Sequence, residues 1–277
     1  MSKKEKLLQG VVTGVFVLSC IIFFQFFGSE HLFEKEQVVD LSSLSGAVSE
    51  CQGKPALLAC SLAKILSSLM VPIGGGALLI TLILLLEWWA FTYILKRFHV
   101  GEMAFLYALL PVVLEWGTYC SQRYHLASIL SLVIVLLLFC GYMTIKNKLL
   151  SMLIGFALLF IVYALVGSRL FIFVILVLLY EAEIGEKRWG YWALLLITGI
   201  VLPEFLKSVY GLSEADAYQY PNPWLPAFFP AITIASVLVI TQFKAIRHLP
   251  ANVWSVSIMS GLLVLFVIVS VFSHAVP

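Results

Sequence analysis

The chain has 277 residues, 62% of them hydrophobic and only 12% charged, with 17 Lys and Arg against 15 Asp and Glu. Its mean hydropathy is +1.04. A soluble domain carries roughly 25% charged residues, and a small water-soluble fold has nowhere to hide so much apolar surface. These figures exclude a soluble enzyme, a nucleic-acid-binding domain and a disordered chain. At roughly 20 residues per crossing they predict an all-α polytopic transmembrane helix bundle of about nine spans, one integral membrane domain over residues 1–277.

The first apolar run covers about Leu7 to Phe27, behind the basic start Lys3, Lys4, Lys6. It is too long for a signal-peptide core and no small-residue cleavage site follows at once, so it reads as a membrane anchor. An outer loop follows over residues 28–73, with an acidic cluster of Glu30, Glu34, Glu36 and Asp40. Inside it, residues 55–70 read as an amphipathic helix. Leu58, Leu62, Ile65 and Leu69 recur at helical spacing, but the stretch is too short to span, so the reading is an interfacial helix. Pro72 and Gly74-Gly75-Gly76 then turn the chain into the second run, Gly75 to Leu95.

The third to sixth runs cover Met103 to Cys120, Ala127 to Ile145, Leu149 to Val166 and the short Leu170 to Tyr180. The seventh covers Tyr191 to Leu206, the eighth Leu225 to Phe243 and the ninth Val253 to Phe272, with a second outer loop at 207–224. All are continuously apolar, which excludes the alternating strands of a barrel. With the N-terminus inside, the inner segments hold Lys3, Lys4, Lys6, Lys96, Arg97, Lys146, Lys148, Lys187, Arg188, Lys244 and Arg247. That bias predicts a cytoplasmic N-terminus and an outer C-terminus.

Ionisable residues within spans are costly and are functional candidates by default. Glu87 falls inside the second span and Glu115 near the outer end of the third. The triplets Leu86-Glu87-Trp88 and Leu114-Glu115-Trp116 look alike but are too short to argue duplication. Arg123, His125, Arg169 and Glu204 fall at predicted outer helix ends, where two guanidinium groups suit a phosphate headgroup and salt bridges are the plainer reading. Cys51 and Cys60 share the first outer loop and are candidates for a disulfide, with Cys120 as a rival partner. No nucleotide-binding glycine pattern, metal-spaced His/Cys set or HExxH is present, and the sequence names no cofactor.

Phe27 to Asp40, Pro72-Ile73-Gly74-Gly75, Leu109-Leu110-Pro111 and Tyr180-Glu181 together resemble an uncharacterised polytopic inner-membrane family of Bacteroides-type bacteria, over roughly residues 20–205. That resemblance implies a bacterial inner-membrane location, with a periplasmic C-terminus, and no chemistry. The acids after the first span and the interfacial helix in a long first loop also resemble membrane glycosyltransferases that use polyprenyl-phosphate sugars, without their Asp-Glu or Asp-x-Asp signature. This likeness implies an outer-face transferase for a lipid-linked glycan. Glu34 or Glu36 would be its catalytic base, and Arg123 or Arg169 would bind the lipid phosphate. Two other readings compete: a transporter using Glu87 and Glu115 as a proton or ion path, and an envelope scaffold. Membrane lipids are partners in each.

Overall fold

The computed structural model describes residues 3–26, 35–36, 44–70, 74–184, 188–221, 224–250, 252–258, 260–262 and 264–265. All regular structure among them is helical: α1 Lys3–Phe26, α2 Leu44–Ser49, α3 Leu57–Ser67, α4 Gly75–Arg97, α5 Ala104–Tyr107, α6 Leu109–Tyr119 and α7 Leu126–Tyr142, then α8 Lys148–Val166, α9 Leu170–Glu183, α10 Trp189–Tyr210, α11 Glu214–Gln219, α12 Trp224–Ile240 and α13 Lys244–Arg247. Four stretches are long and apolar enough to cross a membrane: Leu7–Phe26, Gly75–Arg97, Lys148–Glu183 and Trp189–Tyr210. The remaining apolar helices are shorter, 10–17 residues, and part of the ninth expected span lies outside the described residues.

The 36-residue stretch Lys148–Glu183 is not one straight rod. A 3-10 turn at Gly167–Arg169 divides it into α8 and α9. Gly167 sits at φ 66°, ψ −130°, a conformation that suits a residue without a Cβ. The chain then doubles back, because Arg188 beyond the end of α9 donates to the carbonyl of Lys148 at the start of α8, 3.3 Å away. The expected third span is also divided, into α5 and α6, with a turn at Ala108. Pro111 supplies the reason: it has no N–H and its ring crowds the carbonyl of Tyr107 four residues back. Trp88 of α4 bridges to this region by donating to the Phe105 carbonyl at 2.6 Å.

Successive long helices alternate in direction, so their connections gather at two ends. One end carries α2, α3, the Gly167–Arg169 turn and α11, and is called the loop end here. Its links include Ala56 N–H to the Tyr163 carbonyl and Ser168 N–H to the Tyr220 carbonyl. At the opposite end Arg247 donates to the Phe98 carbonyl at 2.7 Å and contacts the Glu183 carboxylate, which also lies 3.5 Å from His99. The described parts of the loops expected outside thus share one end, and those of the loops expected inside share the other.

The outer surface of the bundle is apolar. Leu82, Ile197 and Phe205 are each more than 60% exposed, and they belong to broad apolar faces of α4 and α10. A soluble monomer rarely shows contiguous patches of this kind; a bilayer is the solvent that suits them. Inside, aromatic rings lock α1 to α4 and α6: Phe16 meets Trp88 at 5.4 Å and Trp116 at 6.1 Å between centroids, and Phe23 meets Trp116 at 5.3 Å. The two Leu-Glu-Trp triplets therefore converge on one phenylalanine of α1.

Helix α3 seats itself on the bundle through small residues. Ala59, Cys60, Ala63 and Ser67 are its buried face, packed toward α7 and α8. Of the leucine stripe, Leu58 and Leu62 are half-buried, with Leu62 packed against the main core, and Ile65 and Leu69 are exposed.

Candidate functional site

At the loop end, Glu36 is built into the fold. Helix α7 begins after His125, whose backbone is extended and whose side chain makes no capping bond. The first N–H groups of a helix need outside acceptors, and here the acceptor comes from 90 residues upstream. Leu126 N–H donates to the Glu36 carboxylate, 3.0 Å from Oε1 and 3.1 Å from Oε2, and the Tyr119 hydroxyl donates to Oε1 at 3.1 Å. A carboxylate at this position also meets the positive end of the helix dipole. Beside it the Lys35 ammonium donates to the Tyr119 carbonyl and lies 3.8 Å from the centroid of that ring. Burial pulls the Lys35 ammonium down to about 8, against the opposing pull of Glu36.

Lys35 and Glu36 line a pocket of about 340 Å³ together with Lys54, Lys64, His125 and Tyr220. Glu50, Cys51 and Cys60 complete its polar wall. Three ammonium groups against two carboxylates make this an anion-favouring cavity. Cys51 and Cys60 belong to one small buried cluster with Ala56 and Ala59, as thiols rather than as the expected disulfide. The Cys60 sulfur instead lies 3.3 Å from the Tyr220 hydroxyl. Burial pushes the Cys60 thiol up from its ordinary value.

A second cavity, about 300 Å³, opens between α9 and α12. Phe171, Ile172, Ile175, Ala231 and Ile232 form its walls, and Ser168, Arg169 and Tyr218 its polar head. The two cavities adjoin a single strut. Ser168 N–H donates to the Tyr220 carbonyl at 2.9 Å and its hydroxyl to the Gln219 carbonyl at 3.1 Å, while the Tyr163 hydroxyl donates to the Ala217 carbonyl at 2.9 Å. Tyr220 faces the lysine-lined pocket, and its bonded neighbour Ser168 faces the apolar groove.

Below the strut lies a third group of charges, inside the bundle. Arg169 turns inward and is 2% exposed; Glu87 and Glu115 are wholly buried. The Tyr124 hydroxyl donates to Glu115 Oε1 at 2.6 Å and accepts from the Arg169 guanidinium, which stands 4.0 Å from the same carboxylate oxygen. Glu87, near the middle of α4, is in electrostatic reach of Glu115, Arg169 and Tyr124. Neither of its carboxylate oxygens has a hydrogen-bond partner among the described residues.

The remaining expected site residues scatter. Arg123 is exposed in the turn between α6 and α7 and lines neither cavity, so the expected pair of phosphate-gripping arginines is not assembled. Glu204 pairs with Lys207 one helical turn away at a partly exposed position. Glu34 lies outside the described residues. Sequence reading missed Glu181 and Glu183 at the opposite end. Glu181 is buried, accepts from the Tyr142 hydroxyl at 3.1 Å and lies 3.5 Å from Arg188. The available signal was two carboxylates closing an apolar run just before a basic loop. No group of three or more His, Cys, Asp or Glu among the described residues has the arrangement of a metal site.

A profile of a family of unknown function, DUF6057, matches residues 3–274. The chain belongs to that family. No curated protein and no solved structure matches it. The family spans the loop end and the buried acids alike, so both sites lie within the region that defines its members.

Proposed function

We propose that this DUF6057 protein is a multi-pass membrane protein that binds a phosphate-bearing isoprenoid lipid at the loop end and transfers the group the lipid carries. The carrying observation is the adjacency of an apolar groove to a lysine-lined pocket across the Ser168–Tyr220 strut. The groove suits a hydrocarbon chain lying against α9 and α12. Lys35, Lys54 and Lys64 suit the phosphate, taking the part that sequence reading gave to arginine. Lysine serves as a point charge for phosphate where arginine would grip with a fork. The basic bias of the opposite end supports a loop end outside the cytoplasm.

Of the pocket's two carboxylates, Glu36 already accepts from Tyr119 and Leu126. Glu50, exposed on the rim, is the one with lone pairs open to a reactant. In the proposed step an acceptor hydroxyl gives its proton to Glu50, its oxygen bonds to the transferred sugar's anomeric carbon, and the lipid phosphate leaves with the electrons of the broken C–O bond.

The test uses purified protein with a photoreactive polyprenyl phosphate and the matching neutral polyprenol. The phosphate form should label the Ile172, Ile175, Ala231 and Ile232 wall. Changing Lys35, Lys54 and Lys64 together to Gln should lower that labelling about tenfold, the size of one good ionic contact. Equal labelling by polyprenol and by its phosphate would remove phosphate recognition from the account.

A further inference from the structure

We infer that the Glu87–Glu115–Tyr124–Arg169 cluster holds one exchangeable proton in the interior of the bundle. The cluster meets the proposed lipid site only at Arg169, which also lines the apolar groove; Glu87, Glu115 and Tyr124 line neither cavity. Two carboxyl groups face one guanidinium, so a fully ionised set would carry one net negative charge. Among them Arg169 serves Glu115, directly and through the Tyr124 hydroxyl. That leaves Glu87 with no donor for either oxygen among the described residues, and Glu115 Oε2 with none. A bare buried carboxylate costs several kcal/mol, on the order of the penalty for any uncompensated ion in a low-dielectric interior. One proton on the carboxyl pair makes the set neutral and removes that cost.

Among the described side chains, the helices packed on α4 offer no second cation. Helix α7, which packs on α4, has no Asp, Glu, Lys or Arg and contributes Cys140 and Tyr142. The buried face of α1 offers the thiol Cys20, and α6 adds Tyr119 and Cys120 besides Glu115. Another buried carboxylate shows what a satisfied ion looks like in this protein: Glu36 holds the Leu126 N–H and the Tyr119 hydroxyl. Glu87 stands 12 residues into α4, about 18 Å along the axis from Gly75 at 1.5 Å per residue. Glu115 is one turn from the loop-end terminus of α6, and the residue after Tyr124, His125, is exposed in the polar pocket. Glu115 is thus the acid of the pair nearer the loop end, and the proton exchanges by binding to and leaving a carboxylate with no other bond made or broken.

Infrared difference spectroscopy of the purified protein across the neutral pH range tests this. The wild type should show a carboxylic-acid carbonyl band that shifts in D2O. Glu87→Gln, a neutral stand-in for the protonated acid, should fold and should lose that band, while photolabelling by the polyprenyl phosphate stays unchanged. Glu115→Gln leaves one carboxyl for one guanidinium and should weaken or shift the band. Persistence of the wild-type band in both variants, or its absence from the wild type, would overturn the inference. So would loss of the band on exchanging choline for sodium at constant pH, which would make the bound charge an alkali cation. Because lipid labelling is read separately, failure of the proton site and failure of the lipid pocket are distinguishable.

Discussion

Glu36 and Glu87 are both buried glutamates in one small membrane protein, and their surroundings are opposites. Glu36 belongs to the loop end, where it closes the first turn of α7 and takes a tyrosine hydroxyl as well. Glu87 sits midway along α4 with neither oxygen bonded among the described residues. The first carboxylate is committed to holding two distant segments together. The second contributes nothing to packing that a leucine would not. Burial alone therefore does not mark a functional acid; burial without partners does.

The comparison breaks most severely at Arg169, the one described cation serving the interior acids. Arg169→Met removes it and leaves two buried carboxyls, a change of about 3–5 kcal/mol for a broken buried pair. Expression and thermal unfolding in detergent should fall together. Adding Glu115→Gln to that variant should recover part of the loss, since it removes the charge that Arg169 served. A double variant no better than the single would detach Arg169 from Glu115.

Next in size is Gly167→Ala, which attacks the strut. An added Cβ would lie 2.3 Å from the Tyr220 carbonyl oxygen, at a backbone φ of +66°. Strain of this kind costs about 1–3 kcal/mol before the clash is counted. Limited proteolysis should then open the 211–221 segment while α4 and α7 stay protected. Unchanged protection there would mean that the strut does not organise the loop end.

A smaller effect sharpens the chemistry of the lysine pocket. Lys35 loses its proton near pH 8 in the folded protein, because burial disfavours the ammonium. Binding of a phosphate lipid should therefore weaken as pH rises through about 8, and Lys35→Gln should flatten that step. Stability moves the other way. Lys35 has an ordinary value of 10.5, so between about 8 and 10.5 the unfolded chain binds more protons than the folded one, and stability rises with pH. A binding curve flat across this window would place the phosphate away from Lys35.

The helical class, the apolar helices and the tight turn at Arg169 were legible because they are local: hydropathy runs, a glycine and a short basic turn. The gathering of the basic loops at one end was legible for the same reason. The division of the third span was not read, although Pro111 lies inside it. The cap on α7 was not legible, since Glu36 and Leu126 lie 90 positions apart and no periodicity links them. Nor was the inward turn of Arg169, which depends on Tyr124 being presented by a different connection. The seat of α3 was not legible, because Ala59, Cys60, Ala63 and Ser67, which make the contact, form no pattern as strong as the leucine stripe. Lysines 35, 54 and 64 looked like scattered loop charges until the fold brought them to one cavity.

The division of labour between the two acids is tested most directly by one paired measurement: thermal unfolding in detergent at neutral pH of Glu36→Gln and Glu87→Gln beside the wild type. Glu36→Gln replaces charge-assisted bonds by neutral ones and should cost about 1–2 kcal/mol, a fall of a few degrees in Tm. Glu87→Gln should melt within about 1 kcal/mol of the wild type, because the acid it replaces is held neutral and makes no hydrogen bond to lose. A large loss at Glu87 beside none at Glu36 would contradict the account, assigning the structural role to the interior acid and freeing the loop-end one.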